Sequence, residues 1–475
     1  MRQLIAASAC ALGLLAGSGG AWAGVHVGVN DDAGKYAGGA PEFWQAMEEN
    51  GLDQNTMTVL WDETRPDAIL DASFIRNALP AAEAAGVQVV FDVYPMHSQA
   101  LTSDSANIGR FAAFVGEVAR AFPSVTQYVV MNECNQPRFV NPQFDDKARN
   151  RSAALCGRAL AAAYDTLKSI DEGIFVWGIG LSPRGNDRPW ARSNASTSPV
   201  TFLADLGAWY RSSGRAEPIM DGLDFHPYPV PQSQDFATGY AATKDASVSN
   251  LDRIYQAFYD AFDGTGQPTI GPQAGGGLPV SLNEVGIQTA TGGRPGYTGY
   301  EASAGAGGVN GRFATQAFQA DWYVKMLDLV ACDPNVQVVD IFHLVDESDL
   351  GAWQSGLYYV GYEPKASAAA VAGWIAETGG ECAGAESSWR PRRSIGATPA
   401  ASPALQATLK SARRAIAALK RDEAQARTAH AKTRALTGLL RASTLGATLA
   451  RRIETATAGV RATVQKQPGR HPPRR

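Results

Sequence analysis

Two glutamates carry the strongest chemical signal in the chain. The segments Tyr128-Val-Val-Met-Asn-Glu133 and Val280-Ser-Leu-Asn-Glu284 each run largely apolar residues into a terminal carboxyl. A carboxylate at the end of an apolar run costs desolvation free energy unless it is paired or put to use. Two opposed carboxyls suit glycosidic cleavage: the protonated one donates to the leaving oxygen, and the ionised one attacks the anomeric carbon. For either glutamate alone, a salt bridge at a strand end is the competing reading. Between them, Asp224-Phe-His226-Pro-Tyr228 adds an imidazole and a phenol. Trp61, Tyr94, Trp190 and Trp353 could each cover the apolar face of a pyranose ring, or simply pack in the core. Asn30, Asp31, Asp62, His97 and Asp346 could bind sugar hydroxyls, or cap helices and loops.

Positioning these groups requires a frame, and the hydrophobic pattern supplies one. Short apolar runs at 25–29, 56–61, 87–94, 128–131, 175–180, 222–226, 280–284 and 338–344 are each followed by a helix-like stretch. The helical stretches fall at 41–49, 73–85, 107–121, 152–170, 199–212, 251–262, 312–331 and 365–377. Strand then helix, eight times over, predicts an α/β fold, a (β/α)8 TIM barrel over residues 24–383. Several runs are apolar almost throughout, as strands buried on both faces are. Most connections leaving a strand are long (95–105, 134–151, 181–198, 227–250, 285–311 and 345–364), whereas most connections entering one are short. Long loops at the C-terminal ends of barrel strands are where such folds build sites. Glu133 and Glu284 close the fourth and seventh runs, so they should face one another across that mouth.

In that setting the sequence resembles the clan A glycoside hydrolases, the 4/7 superfamily of retaining barrel enzymes, with cellulase-like or family-thirty-nine-like members the nearest in pattern. The resemblance rests on Asn132-Glu133, on Glu284 and on the His226-Pro-Tyr228 segment, and covers about residues 25–380. It implies Glu133 as acid/base, Glu284 as nucleophile, Asn132 on the sugar 2-hydroxyl and Tyr228 orienting Glu284. His226 would belong to the hydrogen-bonded shell around the pair or be a satisfied structural histidine. Retention would place the two carboxyls about 5–5.5 Å apart. Three departures stand out. Cys134 follows the Asn-Glu pair where proline is usual, no arginine lies in 56–61 (Arg65 is nearest), and Phe342-His343-Leu344 ends the eighth run where a tryptophan is common.

The ends of the chain differ from its body. Arg2, the apolar stretch 4–16 and Ala21-Trp22-Ala23 predict a secretory signal over 1–23, cleaved near Ala23. That implies a secreted or periplasmic, cell-envelope protein. Beyond it no run is long enough to span a bilayer, and mean hydropathy is −0.18. Cys134, Cys156, Cys332 and Cys382 then admit two disulfides in three pairings, of which the local pairs 134–156 and 332–382 are favoured. Residues 384–402 read as a linker and 403–475 as a basic helical tail with a disordered end. Residues 385–475 hold 19 of the 42 Lys and Arg but only 4 of the 46 Asp and Glu. Such a tail could hold an acidic envelope polymer by charge, and export argues against nucleic acid. No metal, phosphate-loop or Gly-x-Ser-x-Gly pattern appears, so no metal or other cofactor is expected. The reading is a glycosidase acting on a carbohydrate, with a non-catalytic carbohydrate-binding barrel as the alternative.

Overall fold

The computed structural model describes residues 24–36, 41–229, 239–271, 277–299 and 313–392. The predicted export segment and basic tail lie outside the described residues, as does the whole of a second compact unit, 394–475. Within the first unit eight parallel strands close a barrel in chain order. They are β1 (His26–Asn30), β2 (Gln54–Trp61), β3 (Gln88–Pro95), β4 (Gln127–Val130), β5 (Phe175–Leu181), β6 (Gly222–Phe225), β7 (Val280–Val285) and β8 (Val336–Ile341). The helices are α1 (Ala33–Tyr36), α2 (Pro41–Glu49), α3 (Ala72–Ala84), α4 (Ala100–Ser103), α5 (Asn107–Ala121), α6 (Arg151–Ile170), α7 (Pro199–Ser213), α8 (Leu251–Phe262), α9 (Gln316–Ala331) and α10 (Ala366–Thr378). The eight expected strands are all present. The short α1 and α4 were not expected, because four residues hold too little periodicity to announce a helix.

Alternation along each strand sorts its side chains. In β2, Gln54 and Thr56 enter the barrel and donate to Asp340 of β8 at 2.7–3.1 Å. Met57, Val59 and Trp61 join the apolar layer shared with the helices. Gly28 closes β1 onto β8 opposite Asp340, and a Cβ there would collide with that carboxyl and with the Gln54 carbonyl. The helices cover the outside through one apolar face each. In α5, Phe111, Phe114, Val115 and Val118 step by three or four residues and are all buried. Side-chain caps start α6 and α9, where Asn150 accepts from the Ala153 amide and Thr315 from that of Phe318, both at 3.1 Å. Gly214 and Gly379, at φ 75° and 62°, end α7 and α10 in the left-handed turn that glycine takes without strain.

Both local disulfides are formed. Cys134–Cys156 ties the residue after Glu133 to α6, and Cys332–Cys382 ties the end of α9 to the segment after α10. That last segment departs from the expected linker. Trp389 packs edge-on against Tyr255 of α8 at 5.4 Å, and Gln256 exchanges hydrogen bonds of 2.9 Å with the Arg392 backbone. The chain is therefore docked on the barrel as far as Arg392, because one large aromatic found a seat that composition could not announce.

The long loop from β8 to α10 is anchored from below. Lys365 and Asp346, both with fully buried side chains, pair at 2.6 Å. The carboxyl also accepts from Tyr297 at 2.7 Å and from the Gly356 amide at 2.8 Å. Breaking a buried pair strands a charge in low dielectric, at a cost of about 3–5 kcal/mol. Lys365→Met should accordingly destabilise the protein by about that amount in chemical denaturation, and a loss under about 1 kcal/mol would show the pair to be dispensable.

Candidate active site

The mouth of the barrel is built where the strands become irregular. Past β4 the backbone turns left-handed at Met131 (φ 74°) and again at Glu133 (φ 35°). Such conformations cost free energy in non-glycine residues and persist where surrounding bonds impose them. Here the Glu133 amide donates to the Gly180 carbonyl at 2.6 Å, and Asn135 clasps the Ser182 backbone and the Thr197 carbonyl at 3.0 Å. The β5–β6 pairing slips between Gly178 and Leu181, and the β7–β8 pairing slips between Leu282 and Val285. Gly180 sits in the first slip at φ 51°, where a Cβ would stand 2.9 Å from Asn132 Oδ1 and 3.1 Å from His226 Nε2. Only glycine allows that crowding.

These distortions bring together the groups expected from sequence. A carboxylate oxygen of Glu133, a ring nitrogen of His226 and a carboxylate oxygen of Glu284 all lie within 4.8 Å of one another. His226 Nδ1 is 3.3 Å from Glu133 Oε1 and 3.2 Å from Glu284 Oε2, and its Nε2 is 3.3 Å from Asp224 Oδ2. Tyr228 donates its hydroxyl to Glu284 Oε2 at 3.1 Å. Among the described residues His226 is the only ion-pair partner of either glutamate, which fits the absence of an arginine on β2. Burial raises the Glu284 carboxyl, but the charge and hydrogen bonding of His226, with the Tyr228 hydroxyl, outweigh it and hold that carboxyl below the ordinary range. Burial likewise opposes a cation on His226, yet Glu284, Asp224 and Glu133 together hold the ring well above the usual histidine value. Burial first, then Glu284, raises the Tyr228 hydroxyl, so it stays a donor.

Above this floor opens a cavity of about 900 Å³. Tyr94 and Trp353 line it as expected, Tyr94 edge-on to Phe139 at 5.7 Å and Trp353 tilted over Tyr228 at 4.9 Å. Other expectations fail. Trp61 is fully buried against Phe111 at 5.7 Å, with its indole N–H on the Pro66 carbonyl, because an outward-facing position on β2 looks at α5 and not at the mouth. Trp190 is 73% exposed and off the cavity wall. His97 pairs outside the cavity with Glu63, and Arg65 pairs with Asp62. Asp31 and Asp62 accept nearby backbone amides and Asp346 holds Lys365, so all three follow the capping and anchoring alternative. Asp32, Arg138, Arg184, His343 and Glu347 also line the cavity and were missed. Asp32 adjoins the expected Asp31, and only the turn of the chain after β1 decides which of the two faces inward.

Metal-ligating side chains converge in threes at two places among the described residues: the Glu133–His226–Glu284 group, and Asp62, Glu63 and His97. Asp62 is already engaged by Thr64 and Arg65.

No sequence family and no curated protein matches the chain. Solved structures similar to it include a family 39 glycoside hydrolase from the gut symbiont Bacteroides cellulosilyticus WH2, with TM-score 0.48 and 15% identity over 74% of this chain and 63% of that one. A monomeric beta-xylosidase from Caulobacter crescentus CB15 gives 0.45 and 14% over 74% of this chain and 69% of that one. An endo-1,4-beta-mannanase from Rhizomucor miehei gives 0.46 and 12% over 75% of this chain and 96% of that one. The chain spans less than two thirds of the length of the first.

The arrangement makes His226 the shared counter-ion of two carboxyls, with Glu284 the strongest influence holding its proton. Glu284→Gln should therefore lower the pH at which the His226 ring titrates, followed by NMR of the imidazole nitrogens. An unchanged midpoint would show that the two groups do not sense each other.

Proposed function

We propose that the chain is a retaining glycoside hydrolase that cleaves the O-glycosidic bonds of a β-linked poly- or oligosaccharide by double displacement. The observation that carries this reading is that one carboxylate oxygen of Glu133 and one of Glu284 lie within 4.8 Å of each other beside a buried imidazole. Carboxyls about 5–5.5 Å apart leave room for the anomeric carbon alone, whereas inverting pairs stand about 6.5–9.5 Å apart to admit a water. In the first step Glu284 attacks the anomeric carbon, the glycosidic C–O bond breaks, and Glu133 gives its proton to the leaving oxygen. In the second, Glu133 takes a proton from water, the water oxygen attacks the anomeric carbon, and the ester to Glu284 breaks. His226 serves both steps. While Glu284 is ionised the imidazolium balances it, and once Glu284 is an ester the same cation faces a Glu133 that has become the anion. Asn132, on the cavity wall beside Glu133, is placed to meet the sugar 2-hydroxyl.

The cavity volume suits more than one sugar unit, and Tyr94 and Trp353 give it aromatic walls. Two disulfides support an oxidising compartment, in keeping with the predicted export signal. Among the described residues no helix is long and apolar enough to cross a membrane. The cationic tail supplies a means of holding the enzyme on an acidic envelope polymer.

A 2-deoxy-2-fluoro glycoside with a good leaving group slows both steps and lets the ester accumulate. Mass spectrometry of the digested protein should place the label on Glu284, and Glu284→Gln should neither be labelled nor turn over any substrate. Absence of labelling across a panel of such glycosides, with wild-type binding intact, would favour the non-catalytic carbohydrate-binding barrel.

A further inference from the structure

The two carboxyls assigned to the chemistry above are held in different ways. Glu284 lies within β7, and its carboxylate accepts from the Tyr228 hydroxyl at 3.1 Å and faces His226 Nδ1 at 3.2 Å. Glu133 lies past the end of β4, and among the described residues the one polar contact of its carboxyl is His226 Nδ1 at 3.3 Å. The aim of Glu133 is therefore set by its main chain. That main chain stands at φ 35°, in the left-handed region, with Met131 two residues earlier at 74°. Non-glycine residues keep such conformations where the surroundings impose them. Three hydrogen bonds contribute: the Glu133 amide donates to the Gly180 carbonyl at 2.6 Å, the Glu133 carbonyl accepts from the Gln136 amide at 2.7 Å, and the Cys134 carbonyl accepts from Gln143 Nε2 at 2.9 Å. Each can be exchanged for a bond to water if the loop shifts, so its net hold is modest. The remaining restraint is covalent. Cys134, fully buried, is bonded to Cys156, 22 residues on in α6. That helix packs Leu155, Ala159 and Leu160 into the core, which makes Cys156 a rigid anchor.

We propose that the Cys134–Cys156 disulfide is the positioning element of the acid/base: it pins the residue after Glu133 to a buried helix and so keeps the Glu133 carboxyl at the leaving oxygen. The inference rests on the assignment of Glu133 as acid/base. With the bond open, Glu284, Tyr228 and His226 keep their own strands and contacts, while Glu133 relaxes toward ordinary backbone angles. A displacement of about 1 Å at a reacting group costs about 100-fold in rate. The loss follows the demand for the proton. A phenolate of high pKa needs the acid in order to leave, whereas 2,4-dinitrophenolate leaves with the bonding electron pair unaided, so its glycosylation step is spared. In the second step water needs Glu133 as base. Azide does not: its nitrogen bonds to the anomeric carbon, the ester bond to Glu284 breaks, Glu284 leaves as the carboxylate, and no proton moves.

The test uses the full chain with Cys134→Ala and Cys156→Ala together, beside Cys332→Ala with Cys382→Ala, and beside Glu133→Ala, each confirmed folded by circular dichroism. The substrates are the phenyl and 2,4-dinitrophenyl β-glycosides of whichever of glucose, galactose, mannose and xylose the wild type cleaves fastest. Without Cys134–Cys156, kcat/KM should fall about 100-fold on the phenyl glycoside and stay near the wild-type value on the dinitrophenyl one. Sodium azide should raise kcat on the dinitrophenyl glycoside and give the β-glycosyl azide. Loss of Cys332–Cys382 should leave the ratio of the two kcat/KM values unchanged. A second route needs no substitution and decides the matter if the double variant does not fold. Wild-type protein is reduced with tris(2-carboxyethyl)phosphine and assayed, and alkylation with peptide mass spectrometry reports which disulfide has opened; the same split should appear as Cys134 becomes alkylated. An equal loss on both glycosides, the same split without Cys332–Cys382, or no response to azide would overturn the proposal. Glu133→Ala separates it from the assignment it rests on. If Glu133→Ala shows the split and the azide response and the opened disulfide does not, the positioning role alone fails; if Glu133→Ala shows neither, the acid/base assignment fails.

Discussion

His226 stands between two carboxyls that lie within 4.8 Å of each other, with a third, Asp224, 3.3 Å behind it. A buried carboxylate such as Glu284 stays ionised out of water when a cation lies beside it. The imidazole supplies that cation, and its fully buried position keeps water from screening it. The surrounding distortions follow from this contact. The left-handed turns at Met131 and Glu133 deliver one carboxyl, the slip between β7 and β8 delivers the other, and Gly180 leaves the space in which Asn132 and His226 crowd together. A regular barrel would end its strands too evenly to point side chains from β4, β6 and β7 at one place.

Beneath the pair the interior is more polar than packing alone would call for. Asp92 and Asp224 are buried there, as are Asn283 and Asn132, and several of their oxygen or nitrogen atoms have no hydrogen-bond partner among the described residues. Burial foremost, with the nearby Asp224 carboxyl, which burial raises as well, pushes the Asp92 carboxyl well above its ordinary range. A carboxyl pushed in that direction resists ionising beside Glu284.

Much of this was legible in the sequence, and the remainder was hidden for identifiable reasons. The strand–helix alternation fixed the barrel, since hydrophobic runs separated by amphipathic stretches admit few other closures. Glu133 and Glu284 were readable because each ends an apolar run, His226 and Tyr228 through the resemblance carried by the His-Pro-Tyr segment, and the order of their strands around a closed ring follows from the chain order. Both disulfides were favoured because Cys134 and Cys156 flank one loop, and Cys332 ends one helix while Cys382 follows the next. The aromatic walls were half legible. Tyr94 faces inward at the end of β3, whereas Trp61 at the end of β2 has the opposite parity, and a slip of one residue moves a side chain from cavity to core. Asp32, His343 and Glu347 were missed because loop geometry, which carries no periodicity, decides where their side chains go. The docking of Trp389 escaped for the same reason.

The stereochemistry of the first product tests the shared-imidazole account most directly. Proton NMR of the anomeric signals, recorded at once after enzyme is added to a β-glycoside that it cleaves, distinguishes the two outcomes before the sugar mutarotates. Double displacement across carboxyls this close predicts that the β-anomer appears first and the α-anomer only later. An α-anomer formed first would mean that water attacks directly, and the account would fail.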